Sequence, residues 1–391
     1  MPIVGGLDIH RKQITFDCLD TDTGELRRGS IAPADRAHLA DWLVQHLAGR
    51  AEAHLAFEGC TGWRYVAEEL SRAGVYGHLA EPADTAALRG PKRHAKTDRA
   101  DSQHLRELLV DGRLPECWIP PAHIVEARAL LETYHDLRVE HTAWVQRIHA
   151  VLFHQGAHRP CAGLRSVEGQ AELAVITATE LSAAGRLQVA TALGMLTALE
   201  DHLHRLHREL IDAARHLNGA KVLSARLYGV GLVTALALTC WLGGASRFSS
   251  ARKAVRFAGL DVTVHSSDGK RSPGRLSRQG PAVLRWCLYE AGKTHARCSA
   301  PDHDYYAQVQ QRIDGKRAAL SEAPQDRPAG LPHPDRARRR RAHQHLTGTT
   351  AAPRRYRSRR HDQSMGINRG QLRATRCQHP TLCEVSKHRT A

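Results

Sequence analysis

IVGGLDIHRKQITFDCLDTDTGELRRGSI, residues 3–31, decides how the first part of this 391-residue chain folds. Ile3 to Leu7 form a short apolar run, which reads as a buried strand. Gln13 to Leu19 and Leu26 to Ile31 read as two further strands, and Asp20 to Glu25 (DTDTGE) between them as a turn. The stretch is therefore a three-stranded meander whose first strand runs out into a carboxylate, Asp8. A second apolar run, His54 to Phe57, ends in the same way on Glu58. A carboxylate at the end of a buried strand is costly unless its charge is compensated. Asp98 and Asp101, in AKTDRADSQH, are three apart in a helical stretch and so share one helix face.

Each piece alone has an ordinary explanation. An Asp-x-x-Asp pair on a helix is commonly a solvated face, and an acid at a strand end is commonly a cap or turn residue. A fold that gathered all four acids would have to protonate some of them or bind a cation. Magnesium suits such a site, because it is a hard ion that takes a few carboxylates and keeps water or phosphate oxygens around the rest of its shell. Two-metal phosphoryl-transfer sites are built this way. The order strand acid, meander, strand acid, helical acid pair is the layout of RNase H-like (RuvC-like) nucleases.

GLDIHRKQ, FEGCTGWRYV and KTDRADSQHL resemble the N-terminal domain of the DEDD-type transposases of bacterial insertion sequences, a group that includes the Piv-like DNA invertases. A second block, Leu227 to Ala296, resembles the C-terminal serine-bearing domain of the same family. The resemblance implies that Asp8, Glu58, Asp98 and Asp101 are the metal-binding catalytic acids, with Mg²⁺ as cofactor. It implies that the pair Ser266 and Ser267 contains the nucleophile. DNA is the implied substrate, in a homo-oligomer with composite sites across a dimer and tetramers that hold two DNAs. A structured guide RNA from the element's own end is implied as a further partner.

The serine segment, VHSSDGKRSPGRLSRQG, sets Ser266 and Ser267 before Asp268-Gly269 and near Lys270, Arg271, Arg275 and Arg278. A serine hydroxyl is a poor nucleophile unless it is deprotonated or aimed at an activated phosphate. Neighbouring cations would hold a DNA phosphate and stabilise developing charge. The family pattern has serine directly before glycine, whereas here Asp268 intervenes, so both serines remain candidates, with Ser267 preferred. Upstream, LYGVGLVTALAL places Gly229 and Gly231 before an apolar helix. This resembles a helix-hairpin-helix turn, whose backbone N–H groups can hold a phosphate; a plain tight turn is the other reading.

Pattern shifts divide the chain. The expected class is α/β: an RNase H-like domain over residues 1–115, a helical, coiled-coil-like region over 116–222, and a mainly α serine domain over 223–320. Arg36 to Leu47, Tyr65 to Ala73 and Asp98 to Val110 read as helices, and Pro115, Pro120 and Pro121 mark a break. Leucines 187, 193, 196, 199, 203, 206 and 210 recur at helical spacing, which suits a helix pair packed on itself or an oligomerisation arm. Ser249 to Leu260 and Pro281 to Cys298 read as helices, with a hairpin or exposed loop between them.

Formal net charge is +16, which favours polyanionic partners. Residues 321–391 hold 16 Lys and Arg against 5 Asp and Glu, so most of the excess lies there. That Arg-, Pro- and His-rich segment lacks apolar periodicity and reads as disordered, either a nucleic-acid-binding arm or the product of a frameshift in a GC-rich gene. The nine cysteines form no C-x-x-C pair, which points to a reducing cytoplasm. Leu232 to Leu242, the longest apolar stretch, is too short to span a bilayer, so no membrane partner is expected. His135, His141, His202, His204 and His207 lie on polar helical segments and read as surface histidines.

The reading that follows is a cytoplasmic DNA transposase or recombinase. It cleaves a strand with magnesium through a serine–DNA phosphodiester and then rejoins it. Two alternatives stand beside it: a RuvC-like metal nuclease such as a junction resolvase, with no covalent intermediate, and an inactive nucleic-acid-binding remnant.

Overall fold

The computed structural model describes residues 3–47, 52–89, 97–164, 166–261, 265–267, 270–272 and 276–322. The expected tail beyond 322, together with Arg275, Asp268 and Gly269, lies outside the described residues.

The meander forms where expected. Strands β1 (Ile3–Ile9), β2 (Ile14–Asp20) and β3 (Leu26–Ile31) pair antiparallel in sequence order. Helix α1 (Arg36–Leu47) crosses to β4 (Ala53–Glu58), which lies parallel to β1 on its other side. Helix α2 (Trp63–Arg72) then leads to β5 (Tyr76–Ala80), parallel to β4, and the sheet order is β3-β2-β1-β4-β5. The N-terminal part is thus a mixed α/β layer structure. Sequence reading did not anticipate β5, whose YGHLA lacks a strand's alternation, nor the short α3 (Pro82–Leu88) after it. Helix α2 opens two residues earlier than expected, directly after Gly62, whose φ of 106° turns the chain into it.

Strand alternation gives the sheet two different faces. Leu7, Ile9, Ile14, Phe16, Leu55 and Phe57 point to one face and pack with Leu39, Trp42, Leu43, Val66 and Leu70 of α1 and α2. Burying each such side chain contributes about 1.5–3 kcal/mol. The other face carries Val4, Gly6, Asp8, Thr15, Asp17 and Ala56, and helix α4 (Asp98–Val110) lies against it through Leu105 and Leu109. Contact there is very close: a Cβ on Gly6 would stand 2.0 Å from the Ser102 carbonyl oxygen. Asp17, fully buried, accepts from Arg28 Nε at 2.6 Å on β3 and from Arg106 Nε on α4.

Two long helices follow, α5 (Ala122–His154) and, after α6 (Val167–Glu180), α7 (Ala183–His216). They run antiparallel. The end of α5 (Ile148, Leu152) meets the start of α7 (Val189, Leu196), while the start of α5 (Ile124, Leu131) shares a core with the end of α7 (Leu210, Ala214). Leu196, Leu199, Leu203 and Leu210 of the leucine stripe are buried, whereas Leu187 and Leu193 are exposed. His141 departs from the surface reading: it is buried, with Nε2 3.0 Å from Glu200 Oε1 of α7. A carboxylate on the facing helix makes burial of that polar ring affordable in hydrogen-bond terms.

The last part is mostly helical. Helix α8 (Asn218–Arg226) precedes α9 (Leu232–Leu242), which is apolar all round and packs among α7, α8 and α11. Helix α10 (Ala251–Phe257) leads to a two-stranded ribbon, β6 (His265–Ser267) and β7 (Lys270–Ser272). Helix α11 (Ala282–Lys293) stops short of the expected Cys298 and passes through one tight turn to Ala296. Thr294 supports that turn by donating its hydroxyl to Ala291 O at 2.7 Å. Helices α12 (His303–Arg312) and α13 (Gly315–Glu322) follow. No helix among the described residues is long and apolar enough to cross a membrane.

Candidate metal centre

Asp8 is the second-last residue of β1 and points to the α4 face. His10, two residues on, shares that face. Helix α4 brings Asp98 to the same place from far along the chain. Its first turn is fixed by Thr97, whose side chain accepts from Ala100 N at 3.2 Å. Nε2 of His10 lies 3.1 Å from Asp8 Oδ2 and 3.5 Å from Asp98 Oδ1. One ligand atom from each of Asp8, His10 and Asp98 falls within 4.8 Å of the others, the spacing of a metal-ligand set. Gln13 donates to Asp98 Oδ2 at 3.5 Å, the long limit of a hydrogen bond.

Asp101 and Glu58, the other two acids of the expected quartet, stand outside the three-residue ligand group, each in a different way. Asp101, on the next turn of α4, is nearly buried and paired with Arg89, and its charge still acts on Asp8. Glu58 ends β4 one position beyond the Leu7–Phe57 register pair, so it occupies the neighbouring strand beside Asp8. It is not in the three-residue ligand group. Cys60 senses both Asp8 and Glu58, although burial is what chiefly pushes its thiol up.

The electrostatics of Asp8 reflect this crowding. Burial pushes its carboxyl above the usual range; His10 opposes the shift, and Asp101 and Asp98 reinforce it. A divalent cation would offset both the burial and the repulsion. The oxygen-rich set fits a hard ion such as Mg²⁺ or Mn²⁺, and the imidazole is tolerated best by the latter. His10 is the residue that sequence reading missed. The signal was present as D-x-H, a two-residue spacing across the end of a strand.

The C-terminal candidates are distributed as follows. Ser266 and Ser267 lie in β6, in register with Arg271 and Lys270 of β7 respectively. Arg278 is exposed and takes a left-handed φ of 55°, with its N–H donating to Gly259 O at 3.2 Å. Gly229, at φ +76°, is pressed against the end of α11 and the turn after it, where a Cβ would stand 2.0 Å from Thr294 Oγ1 and 2.9 Å from Ala291 O. Gly231 caps the N-terminus of α9 and faces open space.

Residues 5–154 match the DEDD transposase family of IS110 type, and residues 223–307 match the transposase IS116/IS110/IS902 family. The chain belongs to the DEDD-type insertion-sequence transposases. The first matched segment contains the acid-bearing sheet from the third residue of β1 onward and α4, and the second contains the serine ribbon and α9. A probable family 20 transposase of Pseudomonas aeruginosa is 22% identical over 275 residues, covering 68% of this chain and 78% of the relative. The transposase therefore acts on DNA, and its Asp8–His10–Asp98 set has the ligand spacing that the divalent metal typical of the family requires.

Proposed function

We propose that this transposase has an RNase H-like catalytic domain in which Asp8, Glu58, Asp98 and Asp101, joined by His10, bind Mg²⁺. The observation that carries the proposal is the convergence of Asp8, His10 and Asp98 from strand and helix onto one point. The sheet order, with an antiparallel meander followed by two parallel strands, supports the RNase H-like reading. When bound, the metal supplies charge neutralisation at the phosphate oxygens. The chain's own residues do the rest. Asp8, Glu58, Asp98 and Asp101 would hold the ion together with His10, which lies between the Asp8 and Asp98 carboxylates.

The nucleophile in this reading is Ser267 or Ser266. The serine Oγ forms a bond to phosphorus, and the P–O bond to the departing strand breaks. The hydroxyl proton leaves to solvent or a nearby base, and the departing oxygen ends as a hydroxyl. Attack by a hydroxyl of a new strand on the phosphoserine then restores the serine and joins the strands. The register of the pair opposite Lys270 and Arg271 supports the reading, since cations beside the reacting phosphate stabilise developing charge. Lys270, Arg271, Arg275 and Arg278 would hold the DNA backbone, and the N–H groups beside Gly229 and Gly231 a further phosphate. A guide RNA and a composite oligomeric site belong to the same proposal.

The test is a denaturant-resistant protein–DNA adduct, formed on DNA carrying the element's ends with its RNA. Ser267→Ala should abolish the adduct and recombination together while sparing DNA binding, because one hydroxyl adds little to a contact dominated by phosphate electrostatics. Loss of the adduct only in Ser266→Ala moves the nucleophile by one residue. Recombination by the double alanine variant overturns the serine mechanism and leaves a metal nuclease with water as nucleophile.

A further inference from the structure

Beside the acid set lies a polar groove of about 710 Å³, lined by Gln13, Thr15, Ser30, Thr97, Asp98 and Arg99 among others. Sheet register explains its direction. Asp8 pairs with Thr15, and Thr15 pairs with Ser30, so the three form one row across β1, β2 and β3 on the α4 face. In the row below, Gly6 and Asp17 are covered by α4 through Ser102 and Arg106. The upper row lies at the N-terminal end of that helix, with Thr15 buried at the groove floor and Ser30 exposed at its outer end. With strands about 4.8 Å apart, it extends roughly 10 Å from Asp8 toward the free edge of the sheet at β3.

The lining is selective in character. Thr15 is only 9% exposed, yet its hydroxyl has no hydrogen-bond partner among the described residues. A buried polar atom left in that state calls for a ligand or water to complete it. Ser30 adds an exposed hydroxyl, Gln13 an amide and Arg99 a cation. Among the described lining residues the one aromatic, Phe16, turns its ring to the opposite face against Trp42, so none of them offers a platform for stacking a base. Donors without a stacking surface suit a sugar–phosphate backbone. Asp98 belongs to both the groove and the ligand set, so the two are continuous.

We propose that this groove holds the sugar–phosphate backbone of the DNA strand next to the phosphate being cleaved, with Thr15, Ser30, Gln13 and Arg99 as its contacts. The assignment rests on the metal-centre reading above. It makes β2 and β3 the track along which one strand enters the site.

The experiment uses the full chain with a single-stranded DNA oligonucleotide carrying 4-thiothymidine beside the cleavage position, in Ca²⁺. Photocrosslinks should map by mass spectrometry to residues 13–30 or 97–99, and Ser30→Trp, which fills the groove from an exposed position, should lose them. The same variant should raise the KM for DNA about tenfold with little change in kcat, and should bind Mn²⁺, followed by electron paramagnetic resonance, like the unaltered chain. Crosslinks that map elsewhere in the unaltered chain overturn the groove, whatever the variant does. So do crosslinks formed by an RNA oligonucleotide of the same sequence and not by DNA, or an unchanged KM in a folded Ser30→Trp protein. Retention of Mn²⁺ binding by Asp8→Asn would instead overturn the metal-centre reading, an outcome the crosslink map does not mimic.

Discussion

At the scale of single residues, Asp8 is under tension from two sources, burial and its carboxylate neighbours. The sign of the consequence follows from linkage. A carboxyl whose value is raised in the folded state favours folding below its ordinary range, and that contribution is lost as pH rises through the raised value. Above that raised value and without metal, the ionised Asp8 therefore works against the fold. Asp8→Asn should raise the melting temperature of the metal-free chain at pH 7, and the gain should shrink as pH falls through the titration range of Asp8. The same variant should lose Mn²⁺ affinity by more than about a hundredfold, beyond the loss typical of residues behind the ligands, and should lose strand cleavage. Thermal melts across pH and a metal titration check the two halves; a lower metal-free melting temperature at pH 7 would refute the tension. His10 is instructive for what a sequence displays. Its ring is half-exposed and follows directly on β1, so neither burial nor periodicity sets it apart from the many other histidines; only the arrival of Asp98 in space does.

At the scale of elements, the position of α4 on the sheet determines whether Asp98 reaches Asp8 at all. Gly6 permits the approach, and the buried Asp17 fixes the register by pairing with Arg106. Gly6→Val would drive two methyl groups into the backbone of Ser102 and Arg106, where a Cβ alone would already stand at 2.0 and 2.8 Å. It should lower stability by about 1–3 kcal/mol and weaken Mn²⁺ binding, although Gly6 touches no ligand. Asp17→Ala should cost about 3–5 kcal/mol, because it takes the close carboxylate partner from the buried Arg106, while the exposed Arg28 can turn to solvent. Paired with Arg106→Met, it should cost less than the sum of the single changes, and urea unfolding of the cycle measures this. Unchanged stability in Asp17→Ala would remove the clamp. The elements that form this arrangement differ in how plainly the sequence shows them. The meander is legible because its turn, DTDTGE, carries its own local chemistry and its strands alternate. Helix α9 is legible as an uninterrupted apolar run, 232–242. Strand β5 is not, because it is stabilised by pairing with β4 and not by its own pattern, and His141 is buried only because Glu200 arrives from α7.

At the scale of the molecule, the acid-bearing sheet and the serine ribbon belong to two matched segments far apart in sequence, joined by α5 and α7. Arginines add to the apolar core that α5, α9 and α11 share. Trp118, just before α5, is covered by Arg247 at 4.2 Å and by Arg128 at 5.3 Å. Arg247 also donates to the carbonyls of Trp241 and Leu242, and Arg128 to that of Cys240, so both cap the C-terminal end of α9. Charge is arranged differently from chemistry in this chain. Residues 321–391 carry 16 basic against 5 acidic side chains, a larger excess than the preceding 320 residues hold. Phosphate neutralisation scales with the cations available, and its salt dependence reports how many are engaged. Removing residues 323–391 should therefore flatten the dependence of DNA affinity on salt and weaken binding to random DNA. Stability should change by no more than about 0.5 kcal/mol, as expected from a sequence that lacks apolar periodicity. Preference for the element's own ends over random DNA should persist, because the groove and the serine ribbon stay in place. A fluorescence-anisotropy titration at several salt concentrations, with both DNAs, tests this. Loss of that preference in a stable truncated chain would make the C-terminal segment a specific nucleic-acid arm, and loss of folding would make it part of the core.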